Sequence, residues 1–480
     1  MSDNNKKTPW LSLLLGPAVM LMTLVMDSPF DGLSTEAWRT AGLAFWMASW
    51  WITEAVPIPA ASLLPLLVVP LAGIAGIKTV SAPYAHPLIF LFLGGFLISI
   101  AMEKWHLHKR IALTTMLAAG SLPSIQILGM MLVTAFLSMW MSNTATAVMM
   151  MPIALSVIQI VKDKNPDNES FAKALLLSIA YGASIGGIAT LIGTPPNALM
   201  AAYLSDSYQI EIGFAEWMMV GLPLSIVMLG ICWFWLTKVS YKVDQTGEVS
   251  AKSVFKQQLS ELGVMSAGEK KVLYIFLFAA LCWVFRPYIG KLTGLSLSDT
   301  GIAIAAAILL FTLPVKSGSN ERVLDWESAK KVPWGILILF GGGLTLAAQI
   351  KSSGLAEFIA LQIQGASAIP LIAGVLLVTA LITFLTEITS NTATAAGFLP
   401  LLGPVAESIA GTPLVWVVPA AMAASCAFMM PVATPPNAIV FGSGMIKIRD
   451  MMRAGFVLNL IAIALITLVT IVVVPTIFAF

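Results

Sequence analysis

A six-residue phrase, Ser-Asn-Thr-Ala-Thr-Ala, stands at 142–147 and again, letter for letter, at 390–395, 248 positions on. Each copy interrupts a long apolar run, where polar side chains are costly and usually have a purpose. Each copy also has a polar, proline-rich companion downstream. These are Gly193-Thr194-Pro195-Pro196-Asn197-Ala198 and Ala433-Thr434-Pro435-Pro436-Asn437-Ala438, 240 positions apart. Upstream, Phe92-Leu93-Gly94-Gly95 answers Phe340-Gly341-Gly342-Gly343. Three echoes in one order mark a duplicated unit of about two hundred residues, not a chance hexamer.

The runs around these phrases set the solvent. Charged residues make up 10% of the chain, hydrophobic residues 58%, and the mean hydropathy is +0.90. A soluble domain carries about 25% charge. The chain therefore reads as an all-α polytopic membrane protein, with room in 480 residues for about ten to twelve spans of about 20 residues. The lipid bilayer is its first partner. A net charge of +2 gives no ground for a nucleic-acid partner. Cys232, Cys282 and Cys426 lie scattered in apolar runs, which argues against a disulfide framework. Lys6 and Lys7 precede an apolar run that looks like a signal peptide, but no small-residue cleavage site follows, so a retained helix is expected.

Along the chain, residues 1–36 read as an N-terminal span and loop. Residues 37–237 form a first repeat with a helical hairpin at about 122–161, and 238–271 a lysine-rich cytoplasmic linker. Residues 272–480 form a second repeat with a hairpin at about 368–409. With the N-terminus inside, 21 of the 26 basic residues fall on inside segments. Only Arg39, Lys78, Arg286, Lys291 and Lys351 fall outside. This puts the C-terminus outside after about eleven crossings. Charge alone does not separate a re-entrant hairpin from two full crossings. Five crossings per repeat is an odd number, so the copies are expected to be inverted, and inverted repeats with broken helices are the mark of secondary transporters.

Irregular backbone at membrane depth is tolerated where it lines a cavity or is buried in protein. A helix starting just after each Ser-Asn-Thr tip points its positive end and free N–H groups at that tip, a place for a carboxylate. Two such tips suit a ligand with two anionic groups. The Pro-Pro pairs block continuous helix and free carbonyls around Gly193 and Ala433. Carbonyl, hydroxyl and amide oxygens suit small hard cations, sodium first among them. Glu54 and Glu387 are the acids nearest the membrane interior. Neither has a second acid nearby in sequence, so both read as helix-end or hairpin-neck residues rather than a proton relay. His106 and His108 read as an interfacial face, and Met149–Met151 as packing. No Ser/His, paired-Asp or zinc-ligand arrangement falls at membrane depth, so an enzyme is not expected. An ion channel is the rival from another class.

At these residues, and at Ser138-Met139-Trp140 and Thr386-Glu387 before the two tips, the sequence resembles the divalent anion–sodium symporter family. Within it the likeness is to bacterial sodium-dependent dicarboxylate transporters. The resemblance implies a homodimer of eleven-span protomers with two re-entrant hairpins and an elevator-type movement, importing C4-dicarboxylates such as succinate, malate and fumarate with sodium. It implies that substrate carboxylates meet Ser142, Asn143, Thr144, Thr194, Ser390, Asn391, Thr392 and Thr434. One sodium ion is then held around Ser138, Ser142, Asn143 and Gly193, and another around Thr386, Thr389, Asn391 and Ala433. Thr389 stands where a close relative is expected to carry a small apolar residue. A dicarboxylate exchanger, or a citrate or sulfate carrier, is the alternative within the family.

Overall fold

The structure, a computed structural model, describes residues 10–164, 169–244, 252–363 and 370–478. Lys6, Lys7, the middle of the 162–170 polar segment, the 245–251 part of the linker, and the first residues of the second hairpin stretch lie outside the described residues. So do positions 479 and 480.

The first half runs α1 (Trp10–Val25), α2 (Thr35–Thr53), α3 (Ile58–Ala61), α4 (Leu64–Leu71), α5 (Ile77–Ser81), α6 (Pro87–Lys104), α7 (Leu107–Ala118), α8 (Pro123–Ser138), α9 (Asn143–Lys164), α10 (Glu169–Ile188), α11 (Pro195–Tyr208) and α12 (Phe214–Phe234). The linker contributes α13 (Lys252–Glu261). The second half runs α14 (Ala267–Thr293), α15 (Asp299–Thr312), α16 (Trp326–Ala329), α17 (Trp334–Ser352), α18 (Leu355–Ile363), α19 (Leu371–Leu385), α20 (Asn391–Ala410), α21 (Leu414–Ala424), α22 (Pro435–Phe441), α23 (Ile448–Val472) and α24 (Val474–Phe478). Among the described residues, eight helices are long and apolar enough to cross a membrane. Two of the eight, α9 and α20, fall within the expected hairpins, so the remaining expected crossings would fall on α2 and on the shorter apolar helices α1, α3–α4, α15 and α21.

The halves match element for element from α6 and α17 onward. Helices α7, α8 and α9 start 248 positions before α18, α19 and α20, and α11 starts 240 before α22. The polar and charged residues that end α6 and α17 and open the next stretch read as loop and hid the short helices α7 and α18. Each follows a sharp turn through the left-handed region, at His106 (φ 55) and Gly354 (φ 83). A glycine announces such a turn and a histidine does not. His108 is buried, with Nδ1 3.0 Å from the Met102 carbonyl, so it belongs to the packing and not to an interfacial face. On the linker side, Lys104 pairs with Asp325 at 2.7 Å and Arg110 with Glu269 at 2.5 Å. The Lys104 ammonium, with the Ser328 N–H, draws the Asp325 carboxyl down to about 2.

The two broken segments interlock. Helix α11 packs on α20 and α21 of the other half, while α22 packs on α9 and α10. Buried apolar side chains run continuously through both halves. The glycine echo marks close approach. A Cβ on Gly94 would lie 2.6 Å from the Ala303 Cβ and 2.8 Å from the Ala303 carbonyl oxygen, backbone of α15 that cannot yield cheaply. Gly94→Ala should therefore cost about 1–3 kcal/mol by overpacking. A lowered thermal midpoint of the purified protein checks this, with Gly230→Ala, in open space, as the control.

Candidate binding site at the two Ser-Asn-Thr tips

Both tips form because the helix before each ends and a new one starts at the asparagine. In the first, α8 closes at Ser138, the Ser142 hydroxyl accepts from the Ala145 N–H at 3.2 Å, and the Ser142 carbonyl accepts from Thr146 N–H at 3.0 Å. In the second, the Ser390 carbonyl accepts from Thr394 N–H at 2.9 Å. The first-turn N–H groups of α9 and α20 have no intrahelical partner and leave a partial positive charge at each tip.

Beneath each tip the same bonds recur. The Ser138 hydroxyl lies 2.5 Å from Asn143 Oδ1 and 2.8 Å from the Ala183 carbonyl. The Thr386 hydroxyl lies 2.7 Å from Asn391 Oδ1 and 3.0 Å from the Ala424 carbonyl. Three oxygens surround the inner end of the Asn143 amide: Ser138 Oγ at 2.5 Å, Ala183 O at 3.2 Å and Gly193 O at 3.3 Å. With the NH₂ turned inward these groups are hydrogen-bonded. With Oδ1 turned inward, four oxygens face one another, an arrangement that a small hard cation satisfies.

The broken helices are held by asparagines. Asn197 Nδ2 donates to the carbonyls of Gly187, Ile188 and Thr190 at 3.2, 3.3 and 2.8 Å. Asn437 Nδ2 donates to Ala427 and Met430, both at 3.0 Å. Both are fully buried. The sequence displayed them inside the Thr-Pro-Pro-Asn phrases, but nothing in it says that they face the carbonyls ten residues back.

Glu387 is buried within the second broken region. Its carboxylate accepts from the N–H groups of Phe428, Met429 and Met430 at 2.7, 2.9 and 2.9 Å, and from Asn459 Nδ2 at 2.7 Å. These charge-assisted bonds explain why α21 stops at Ala424 although apolar residues run on to Met430. The hairpin-neck reading of Glu387 fits this geometry. The Thr389 hydroxyl lies 2.9 Å from the Leu385 carbonyl and 2.6 Å from the Thr394 hydroxyl. It is engaged within the hairpin, which leaves the backbone carbonyl as the group Thr389 offers to a ligand.

One cavity of about 770 Å³ gathers the parts. Its lining includes Ser142, Asn143, Thr144, Thr194, Ser390, Asn391, Thr392 and Thr434, and also Gly193, Thr389 and Ala433. Ser138 and Thr386 do not line it; they lie fully buried one layer below, on the asparagine side chains. Other parts of the wall are Phe92, from the upstream echo, and Glu54, one of the two acids marked near the membrane interior, together with Phe96, Ile336, Ile52 and Thr53, for which the sequence carried no signal. The volume is that of a small-molecule site. Its polar groups are donors and acceptors without a catalytic grouping, and none of the described His, Cys, Asp and Glu residues cluster as a metal centre of that type.

Similarity places this architecture. A sodium-dependent dicarboxylate transporter, SdcS, of Staphylococcus saprophyticus is 43% identical over 474 residues, 97% of this chain and 91% of its own length. The protein of that name from Staphylococcus aureus is 44% identical over 488 residues, covering 99% and 94%. Among solved structures, the Alcanivorax borkumensis YdaH transporter superposes with a TM-score of 0.58 at 13% identity, covering 97% of each chain. Neisseria gonorrhoeae MtrF superposes with a TM-score of 0.58 at 16% identity, covering 96% of each. These two share the fold alone. The family model described as the sodium:sulfate symporter transmembrane region matches residues 7–478. On that match and these identities, the chain is an integral membrane transporter of the sodium:sulfate symporter family.

Proposed function

We propose that this protein is a secondary active symporter that imports C4-dicarboxylates, succinate, malate and fumarate among them, on an inward sodium gradient. The observation that carries the reading is the convergence of both Ser-Asn-Thr tips and both Thr-Pro-Pro threonines on one cavity. The names of the relatives point to the same substrate class and ion. The two helix N-termini and the neutral hydroxyls and amides take the two carboxylates. The oxygen clusters around Ser138, Ser142, Asn143 and Gly193, and around Thr386, Thr389, Asn391 and Ala433, take sodium. Each asparagine serves both, with Oδ1 toward the cation and NH₂ toward the anion. The reading includes inverted repeats of five spans, an elevator-type movement of the hairpins and broken helices, and a homodimer. It sets the protein in the plasma membrane with the N-terminus cytoplasmic and the C-terminus outside. The element-by-element match of the halves and the bias of basic residues support this arrangement. Sulfate, the substrate in the family description, is the second reading, since it too is a dianion.

Uptake by purified protein in liposomes tests the proposal, with sodium, voltage and competing anions varied separately. The family resemblance suggests a third sodium ion beyond the two clusters, and three sodium ions with one dianion carry one net positive charge inward, worth about 2.3 kcal/mol per 100 mV. An inside-negative potential should accelerate succinate uptake; indifference to voltage at saturating sodium would indicate exchange or two-ion coupling. Excess sulfate or citrate should compete poorly.

Neutral donors do not titrate, so the site should select the dianion across the accessible pH range. Succinate uptake should fall with the dianion fraction as pH drops below the second pKa of the acid. A rate that follows the monoanion would contradict a two-carboxylate site.

Asn143→Ala or Asn391→Ala removes a cation ligand and a carboxylate donor together. Each variant should remain folded yet lose transport and most of the thermal stabilisation that sodium and succinate give the wild type. Normal uptake and full sodium stabilisation in Asn143→Ala would remove the tips from the binding site.

A further inference from the structure

Among the described residues that line the cavity, Glu54 alone carries a formal charge. That charge is negative, in a cavity assigned above to a dianion. Its backbone is also unusual. Glu54 caps the C-terminus of α2 in the left-handed region, with φ 48 and ψ 35, a conformation that glycine or asparagine adopts more easily. Its side chain is exposed and not packed into the core. Among the described contacts no ion pair holds it. Neither packing nor pairing therefore accounts for a glutamate at this position, while its place on the cavity wall gives the charge something to act on.

Resting on the symport reading, we propose that Glu54 biases the cavity toward cations and against the dianion, and so sets the relative affinities of the site for sodium and for substrate. A cavity of this volume is on the order of 10 Å across, about one screening length at physiological salt, and its walls include Phe92, Phe96, Ile58 and Ile336. The field of one carboxylate therefore still reaches across the cavity, reduced by salt to about a third at that distance. Coulomb energy is linear in ligand charge, so one fixed negative charge favours each sodium ion and disfavours the dianion twice as strongly. Before sodium binds, a dianion would meet only partial positive charges at the helix ends and a full negative charge across the cavity. After sodium binds, the full charges at the two oxygen clusters dominate. Glu54 lies at the end of α2, outside both hairpins and both broken helices, so it acts on the cavity without being a ligand.

The test is equilibrium binding to the purified full-length protein, with sodium followed by thermal shift and succinate by radioligand binding at saturating sodium. Glu54→Gln should move the two affinities in opposite directions. Sodium should weaken about threefold, and succinate should tighten about tenfold, which is about 1.4 kcal/mol. Succinamate, the half-amide monoanion, should tighten only about threefold. Glu54→Asp should behave as wild type. Glu54→Gly, which also relieves the left-handed backbone, should match Gln in binding. Added choline chloride should shrink the difference between wild type and Gln. If both affinities weaken together, if neither moves, or if Gly departs from Gln, the electrostatic role is overturned. A wild type that binds neither sodium nor succinate would instead overturn the symport reading itself.

Discussion

A bilayer core offers no water to a free N–H or C=O, so helices broken at membrane depth must find every partner within the protein. That requirement organises this molecule. Asn197 spends its amide on three carbonyls of the first break, and Asn437 spends its own on two carbonyls of the second. Ser138 and Thr386 satisfy the carbonyls of Ala183 and Ala424 while holding the asparagines of the tips. The groups that keep the breaks from being prohibitively unstable are thus wired directly to the groups that face the cavity. On the proposed reading, a change in what the tips bind is felt by the backbone that supports them.

The halves share this plan but not every detail. Met139 stands where the second half has Glu387, and there the Met139 carbonyl accepts from Thr190, whose hydroxyl accepts in turn from the Gly193 N–H. The second half uses a carboxylate with three backbone amides and Asn459. Thr394 pairs with Thr389, whereas its counterpart Thr146 is buried with no side-chain partner. Ser425 donates to Thr194 at 3.3 Å, whereas Ser184 in the matching position has no partner. The second tip is therefore the more tightly tied of the two. A pair of sites built from identical phrases need not bind with equal strength.

Much of the site was legible because it is written in polar letters on an apolar page. Serine, asparagine, threonine and paired prolines stand out where leucine and valine are the rule, and duplication removed the chance that they were incidental. The cavity gathers all eight of the residues singled out for the substrate, and the two hydroxyls below it bond to the asparagines. What could not be read depends on groups that every residue carries. The carbonyls of Ala183 and Ala424 and the amides of Phe428, Met429 and Met430 have no signature in sequence. Hydropathy also runs smoothly through the place where α21 ends, because Glu387 stops the helix from outside it. The short helices α7 and α18 were missed for a different reason: the charged and polar residues around the turns at His106 and Gly354 read as connecting loop and masked the helices that follow.

The exchange of half-helices has a consequence for biogenesis. Helix α11 finishes its packing on α20 and α21, which are synthesised nearly two hundred residues later, and α22 returns the favour to α9 and α10. The first half therefore leaves the ribosome with the faces of its broken segment uncovered, although Ser138 and Asn197, which satisfy its carbonyls, are already in place. Neither half covers its own broken segment, alike though the two are. An ancestor with one copy would have had to pair with a second chain to complete itself, and fusion turned that encounter between chains into a step within one.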